Sequence, residues 1–164
     1  MPTTLPVPIA FRLPEGWLPA RPEAFGAQEV AFAAVHPQPD AGFTANITID
    51  GGFPPNGSTL AELADESAQR LREVAESVAV HRREVGAAEA PALTQRVSFS
   101  AVAGDARRDL VQSQVYLPLV DTEDPRRRAV IRLALTATAA QHDAVLTDFQ
   151  DFVRTVRPDI REGV

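Results

Sequence analysis

Three histidines are the residues with the most direct capacity for chemistry in this chain. His36, His81 and His142 lie far apart in the sequence, and none belongs to an HxH or HExxH motif. Such motifs bring two imidazoles to one metal ion. Since that spacing is missing, we interpret all three as surface histidines rather than as metal ligands or general bases.

The carboxylates gather in two places, the segment 121–124 and the pair Asp148 and Asp151. Acid–base catalysis needs one carboxyl group that is shielded from water and a second one nearby. The segment is polar and followed by proline, and the pair flanks the apolar stripe of a predicted helix. We therefore predict that both groups are solvated surfaces and that neither is catalytic.

Other catalytic residue types are missing or lack their usual context. The chain has no cysteine and no lysine, so that all 16 basic residues are arginine. Thiolate nucleophiles, cysteine metal sites and catalytic or phosphate-binding lysines are therefore excluded. No serine lies in a GxSxG motif, and Gly51-Gly52 is not part of a GxGxxG or GxxxxGK motif. We predict a protein that is not an enzyme and has neither cofactor nor metal.

Three aromatic residues are candidates for binding. Trp17, Phe53 and Tyr116 lie in or near segments rich in glycine and proline, where aromatic side chains often anchor ligands or partner proteins. A structural role competes with this interpretation, because Trp17 and Phe53 could equally plug the open ends of a sheet sandwich. We favour the structural role and keep all three as binding candidates.

The run Arg126, Arg127 and Arg128 is the other binding candidate and the longest basic run of the chain. Three adjacent guanidinium groups could hold a phosphate or an acidic partner. The run follows the acidic residues of 121–124, so that a solvated loop with balanced charges is the alternative.

Composition limits the function further. At 164 residues, with 45% hydrophobic and 23% charged residues, the chain is predicted to form a single domain over residues 1–164. A net charge of −6 argues against a binder of nucleic acid or of anionic membranes. The sequence begins without a basic and apolar leader, and no run reaches the roughly 20 apolar residues of a membrane helix. We therefore predict a cytoplasmic protein.

Two segments have helical periodicity. In residues 58–78, apolar residues such as Leu60 and Leu71 recur at helical spacing, and Thr59 and Glu62 have the spacing of a capping box. Residues 139–157 form a second stripe that Pro158 ends. These segments predict two amphipathic helices.

Apolar residues alternate with polar ones in the remaining regular segments, which is typical of strands. Pro118 is expected to end the sixth of them. Short connections favour antiparallel pairing. The pattern predicts an α+β fold in which a six- to seven-stranded antiparallel sheet is covered by two main helices, an α/β/α sandwich. The strand candidates are residues 9–13, 29–35, 43–50, 79–85, 93–101, 108–117 and 129–137.

Three segments carry a resemblance to a known family: FRLPEGW at 11–17, FTANITI at 43–49 and FQDFVRTVRP at 149–158. With the order of elements over nearly the whole chain, they resemble the PsbP-like superfamily. This superfamily includes the Ran-binding Mog proteins, the actinobacterial LpqN/LpqT-type lipoproteins and the bacterial DcrB-like proteins. Within this superfamily the chain resembles an actinobacterial-type member, although it lacks the cysteine that a lipoprotein needs.

The resemblance implies an antiparallel sheet between helices and implies binding rather than catalysis, since members act as adaptors, chaperones or photosystem assembly subunits. We therefore favour a non-catalytic adaptor or chaperone-like module with a protein partner of unknown identity, and leave a homodimer open. The alternatives are a binder of a lipid or metabolite, in a pocket with Trp17 and Phe53 at its mouth, and an enzyme with an unrecognised carboxylate or arginine site. We expect the interface at residues 51–57, at 120–128 or on exposed sheet rather than on the helices.

Overall fold

The alternating segments form strands, and the two segments of helical periodicity form helices. The structure, a computed structural model, describes residues 9–21, 30–40, 42–55, 57–85, 92–103, 106–120 and 128–158, with the backbone alone at 81–85, 103 and 120. The elements in chain order are β1 (Ile9–Ala10), β2 (Leu18–Ala20), β3 (Phe32–Val35), β4 (Asn46–Gly52), α1 (Leu60–Val74), β5 (Glu76–Val85), β6 (Leu93–Ala103), β7 (Ala106–Val120), β8 (Arg128–Thr138), α2 (His142–Thr155) and β9 (Arg157–Pro158).

Seven of the strands form one sheet in the order β2-β3-β4-β8-β7-β6-β5, and every described pair in it is antiparallel. β1 and β9 form a separate antiparallel pair. The predicted α+β class and the predicted antiparallel sheet of six to seven strands are confirmed. β4 and β5 follow each other in the sequence but lie on either side of β8, β7 and β6, so α1 makes a long crossover between them.

β8 decides which side chains point to which side of the sheet. Its alternate residues Ile131, Leu133 and Leu135 are fully buried in one cluster with α2. Val130 lies on the opposite face, in a second cluster with α1. The two helices therefore cover opposite faces of the sheet, which confirms the predicted α/β/α arrangement.

The first helix has the predicted cap, Thr59, but begins at Leu60 rather than at 58 and ends sooner than predicted. The Thr59 hydroxyl accepts a hydrogen bond from the Glu62 backbone N–H at 3.0 Å, which satisfies one of the free donors at the start of α1. At the other end Ala75 is extended, and Ser77 has a positive φ of 57°. The chain enters β5 at once, so the residues that were expected to complete the helix to 78 belong to a strand.

Pro118 does not end β7, in contrast to the expectation from the sequence. β7 continues to Val120 and pairs with β8 through Pro118↔Val130. The pairing of β6 with β7 has already stopped at Leu93↔Tyr116. Beyond that point β7 pairs, among the described residues, with β8 alone. Proline on the other side of such a strand costs no ladder hydrogen bond.

Phe152 offers a test of the packing between α2 and the sheet. Its ring is 1% exposed and lies edge-on to Phe11, with the ring centres 5.6 Å apart. We expect Phe152→Ala to lower the free energy of unfolding by about 3–5 kcal/mol, because it removes buried apolar area and leaves a cavity. Urea unfolding followed by circular dichroism measures the change.

Val102→Ala is the matched control, since Val102 is 68% exposed. Its effect should stay within about 0.5 kcal/mol. A Phe152→Ala protein as stable as this control would show that α2 does not depend on the contact.

Candidate functional site

The sheet face that carries α1 contains a cavity of about 340 Å³ beside the connection from β4 to α1. We call it the loop pocket. Gly57, with a φ of 90°, lets this connection turn back toward the first turn of α1. The pocket is lined by Asp50, Gly51, Gly52, Phe53, Pro54, Pro55, Ser58, Leu63, Glu66, Arg70, Tyr116, Val130 and Arg132.

The loop pocket brings together two of the aromatic residues that the sequence singled out. Phe53 lies on the connection and is 37% exposed, which makes it one of few large apolar side chains with such exposure among the described residues. Tyr116 comes from β7 and is 3% exposed. An exposed aromatic ring therefore lies beside a largely buried one in a single concave site.

Tyr116 is held in place by a buried polar network. Its hydroxyl donates to Gln114 Oε1 at 2.9 Å, and Gln95 Nε2 donates to the same oxygen at 2.6 Å. The Gln114 amide nitrogen donates to Ser67 Oγ at 3.1 Å and thereby connects the sheet to α1. Gln114 is fully buried. Because burying unpaired amide groups is costly, these bonds fix the position of α1 on the sheet and of Tyr116 below the pocket.

One ion pair lines the same pocket. Asp50 of β4 lies directly opposite Arg132 of β8, and Arg132 Nη2 is 3.0 Å from Asp50 Oδ2. Arg132 Nη1 also donates to Ser67 Oγ at 2.9 Å, so it joins the polar network. Its Nε is buried and has no hydrogen-bond partner among the described residues. The pocket therefore has a charge-paired wall with one unused donor.

Of the predicted arginine run, Arg128 is the residue that the structure describes. It is exposed, and its Nη2 donates to the backbone oxygen of Ser58 at 2.7 Å. Since Ser58 lines the loop pocket, this contact places the start of β8 at the rim. Arg126 and Arg127 lie outside the described residues, as does the acidic segment 121–124.

Trp17 is on the other side of the sheet. It is 5% exposed, belongs to the core cluster with α2, and donates from Nε1 to Asp148 Oδ2 at 3.0 Å. Its ring also lies edge-on to His36 at 5.2 Å between ring centres. Since Phe53 lines a pocket with α1, the expected pocket with Trp17 and Phe53 at its mouth is wrong.

His142 is buried, so the prediction of a surface histidine is wrong for it. It is the first residue of α2, is 2% exposed, and its Nε2 lies 2.8 Å from Ser113 Oγ of β7. Its Nδ1 lies 3.4 Å from Asp143 Oδ1. An ionised carboxylate only accepts, so we assign the proton to Nδ1 and the role of acceptor to Nε2.

The order of the three residues resembles that of a serine–histidine–aspartate relay. The exposure of the aspartate and the position of the serine differ from those in such a relay. Asp143 is 89% exposed and adjacent to His142 in the sequence. Ser113 lies within a strand, whereas a nucleophilic serine is usually presented on a sharp turn. The hydrogen bond therefore serves to join the start of α2 to β7. No local pattern marks it, because its two residues are 29 positions apart.

A second cavity, of about 440 Å³, lies on the α2 face beside that helix. We call it the α2 groove. One wall is a flank of α2, and the floor is formed by β6 and β7. Its lining therefore includes a helix surface. The residues are Ala92, Thr94, Gln95, Arg96, Ser113, Gln114, Val115, Leu117, Leu146, Phe149, Gln150, Val153 and Arg154.

The described residues contain no cluster of three or more histidine, aspartate or glutamate side chains that could hold a metal ion. Within them, neither helix has the length and apolar character that would let it cross a membrane.

Comparison with known proteins identifies the fold. No family model and no curated protein matches the chain. Three solved structures are similar to it over 92% of its length: LpqN of Mycobacterium tuberculosis, involved in cell envelope biogenesis (TM-score 0.59, 14% identity, 83% of that chain), cyanobacterial PsbP of Synechocystis (0.55, 14%, 86%) and the Ran-binding protein Mog1p of Saccharomyces cerevisiae (0.56, 18%, 89%).

The chain has the PsbP-like fold. The resemblance that the sequence segments indicated is confirmed at this level. Identities of 14–18% establish the architecture alone. The actinobacterial origin stays a prediction. The fold does not determine which cavity is functional, since fold does not imply function.

The buried His142 should make the stability of the protein depend on pH. Burial lowers its pKa below the usual 6.5; Arg96 lowers it further, while Asp143 opposes the shift. The unfolded chain therefore takes up the proton first as the pH falls. The contribution of neutral His142 to the free energy of unfolding is therefore fully present above about pH 6.5. It decreases as the pH falls below that value.

We expect His142→Gln to lose less free energy of unfolding than the wild type between about pH 7 and pH 5. Urea unfolding at a series of pH values measures the difference. Arg72→Gln, a change on the exposed side of α1, should retain the wild-type slope. Equal slopes in wild type and His142→Gln would contradict the assignment.

Proposed function

We propose that this PsbP-like chain is a non-catalytic adaptor or chaperone-like module that binds a protein partner at the loop pocket. The observation that carries the proposal is the exposed ring of Phe53 at a concave site with an apolar floor. Aromatic residues at the centre of an interface often contribute most of the binding energy, particularly when a pocket next to them can receive a side chain of the partner.

The charges of the loop pocket support binding more than catalysis. Its lining has two carboxylates, Asp50 and Glu66, and two guanidinium groups, Arg70 and Arg132. Asp50 is paired with Arg132, so it is not the carboxyl group, shielded from water and free of a cation, that acid–base catalysis would need. A balanced set of charges around an apolar centre is instead typical of a protein interface with a polar rim.

We propose that the binding surface extends from Arg128, at the start of β8, to the basic residues that precede it in the sequence. Arg128 contacts Ser58 at the rim, and Arg126 and Arg127 precede it in the sequence. We propose that this basic run meets an acidic patch of the partner, since guanidinium groups pair well with carboxylates. Charges at a rim affect the rate of association more than the affinity.

The relatives in fold are consistent with a protein partner. Mog1p is a Ran-binding protein, and LpqN takes part in cell envelope biogenesis. Neither description transfers a partner to this chain at such low identity. A cytoplasmic location and a homodimer likewise remain predictions of the sequence.

The role of Phe53 can be tested by crosslinking in the cells of origin. A photoreactive phenylalanine analogue at position 53 should give a dominant adduct with one protein, identified by mass spectrometry. The same analogue at position 102, which is also exposed but lies on β6, is the matched control. Identical adduct patterns from the two positions would contradict the proposed interface.

The identified partner then allows a quantitative test. We expect Phe53→Ala to weaken its binding by about 30-fold, which corresponds to about 2 kcal/mol for an aromatic hot spot. Val102→Ala should bind as the wild type does. Equal affinities of Phe53→Ala and the wild type would place the interface elsewhere.

A further inference from the structure

The α2 groove differs from the loop pocket in the chemistry of its lining. One side is apolar: Leu146 and Val153 project from the flank of α2 and are partly buried, and Val115 and Leu117 lie on β7 below them. Both helical residues pack against the core and also line the groove. The groove therefore has apolar lining from α2 and β7 that a ligand can contact.

The charged residues of the groove are all basic. Arg96 of β6 and Arg154, which follows Val153 on α2, line it, and none of its described lining residues is an aspartate or glutamate. This is unusual in a chain with a net charge of −6. The loop pocket on the other face has equal numbers of acidic and basic residues. The imbalance in the α2 groove therefore favours an anionic ligand.

Arg96 is the residue best placed to receive that anion. It is half-buried, and it forms no ion pair or side-chain hydrogen bond among the described residues. Arg154, in contrast, is already paired with Asp151 at 2.9 Å. A half-buried guanidinium group without a partner gains from a carboxylate that supplies parallel hydrogen bonds.

Of the two hydroxyl groups next to Arg96, one is already engaged and the other can contribute to an anion site. Ser113 lies directly opposite Arg96 in the pairing of β6 with β7, and Thr94 lies two residues before Arg96 on the same face of the sheet. The Ser113 hydroxyl is fixed by His142 at 2.8 Å. The Thr94 hydroxyl can rotate and donate to an oxygen in the groove.

We propose that the α2 groove binds a carboxylate with an apolar tail, a ligand of the fatty-acid class. The carboxylate pairs with Arg96 and the tail lies along Leu117, Leu146 and Val153. A volume of about 440 Å³ is within the range of pockets that bury small ligands. This activity is additional to protein binding at the loop pocket and uses the opposite face of the sheet.

Titration calorimetry with decanoate, kept below its micelle concentration, tests the proposal. We expect saturable binding of decanoate, and no comparable binding of acetate, which lacks the tail, or of decyltrimethylammonium, which carries the opposite charge. The absence of saturable decanoate binding would overturn the proposal. Equally tight binding of decyltrimethylammonium would also overturn it, because apolar contact alone would then explain the result.

Variants locate the site. Arg96→Gln should weaken decanoate binding by about tenfold or more, about 1.4 kcal/mol, since a charged hydrogen bond is lost. Arg96→Lys keeps the charge but loses the parallel hydrogen bonds, so its affinity should lie between those of Arg96→Gln and the wild type. Arg72→Gln on the other face should not change the affinity. Thermal melts by circular dichroism show whether each variant is folded.

Val153→Glu provides an independent variant, because it places a negative charge in the groove and should abolish binding of decanoate without a change at Arg96. Unchanged affinity in both folded Arg96→Gln and folded Val153→Glu would overturn the assignment of the groove. Phe53→Ala should bind decanoate as the wild type does, so failure of the protein-binding proposal would leave this result intact.

Discussion

Burial of both faces of β8 is the constraint on which the rest of the structure depends. Ile131, Leu133 and Leu135 need one apolar cover, and Val130 needs another on the opposite side. A strand of this kind is stable only between two layers, so the helices have to separate to the two faces. Its neighbours pair with β8 residue by residue, and each of their side chains takes its face from that register. The two cavities lie on opposite faces for the same reason.

Much of the fold could be predicted because local patterns determine it. The alternation in β8, the helical spacing around Leu60 and the Thr59 cap all act within a few residues, and all of them agree with the structure. The end of α1 and the continuation of β7 through Pro118 could not be predicted in this way. They depend on where the neighbouring strand begins or stops, which is a property of the assembled sheet.

The candidate site was less accessible to sequence reasoning. Phe53 and Tyr116 could be singled out by residue type and local context, but their convergence depends on the crossover of α1. Gln114 and His142 have polar side chains in strand or helix positions that usually face water. Each is buried because its partner comes from a distant segment, as Ser67 does for Gln114. Arg96 likewise acquires its setting from α2, which is formed by the C-terminal part of the described chain.

The position of β4 in the sheet has a consequence for the order of folding. β4 pairs with β8, although a helix and three strands separate them in the sequence. Closing so long a segment is slow compared with forming neighbouring hairpins, and during synthesis β8 emerges long after β4. The fully buried side chains of Ile47 and Ile49 therefore remain uncovered in the nascent chain. We therefore expect the edge of β4 that later pairs with β8 to be the edge most prone to mispairing. In the mature sheet this edge is enclosed, unlike the strands at the border of the sheet.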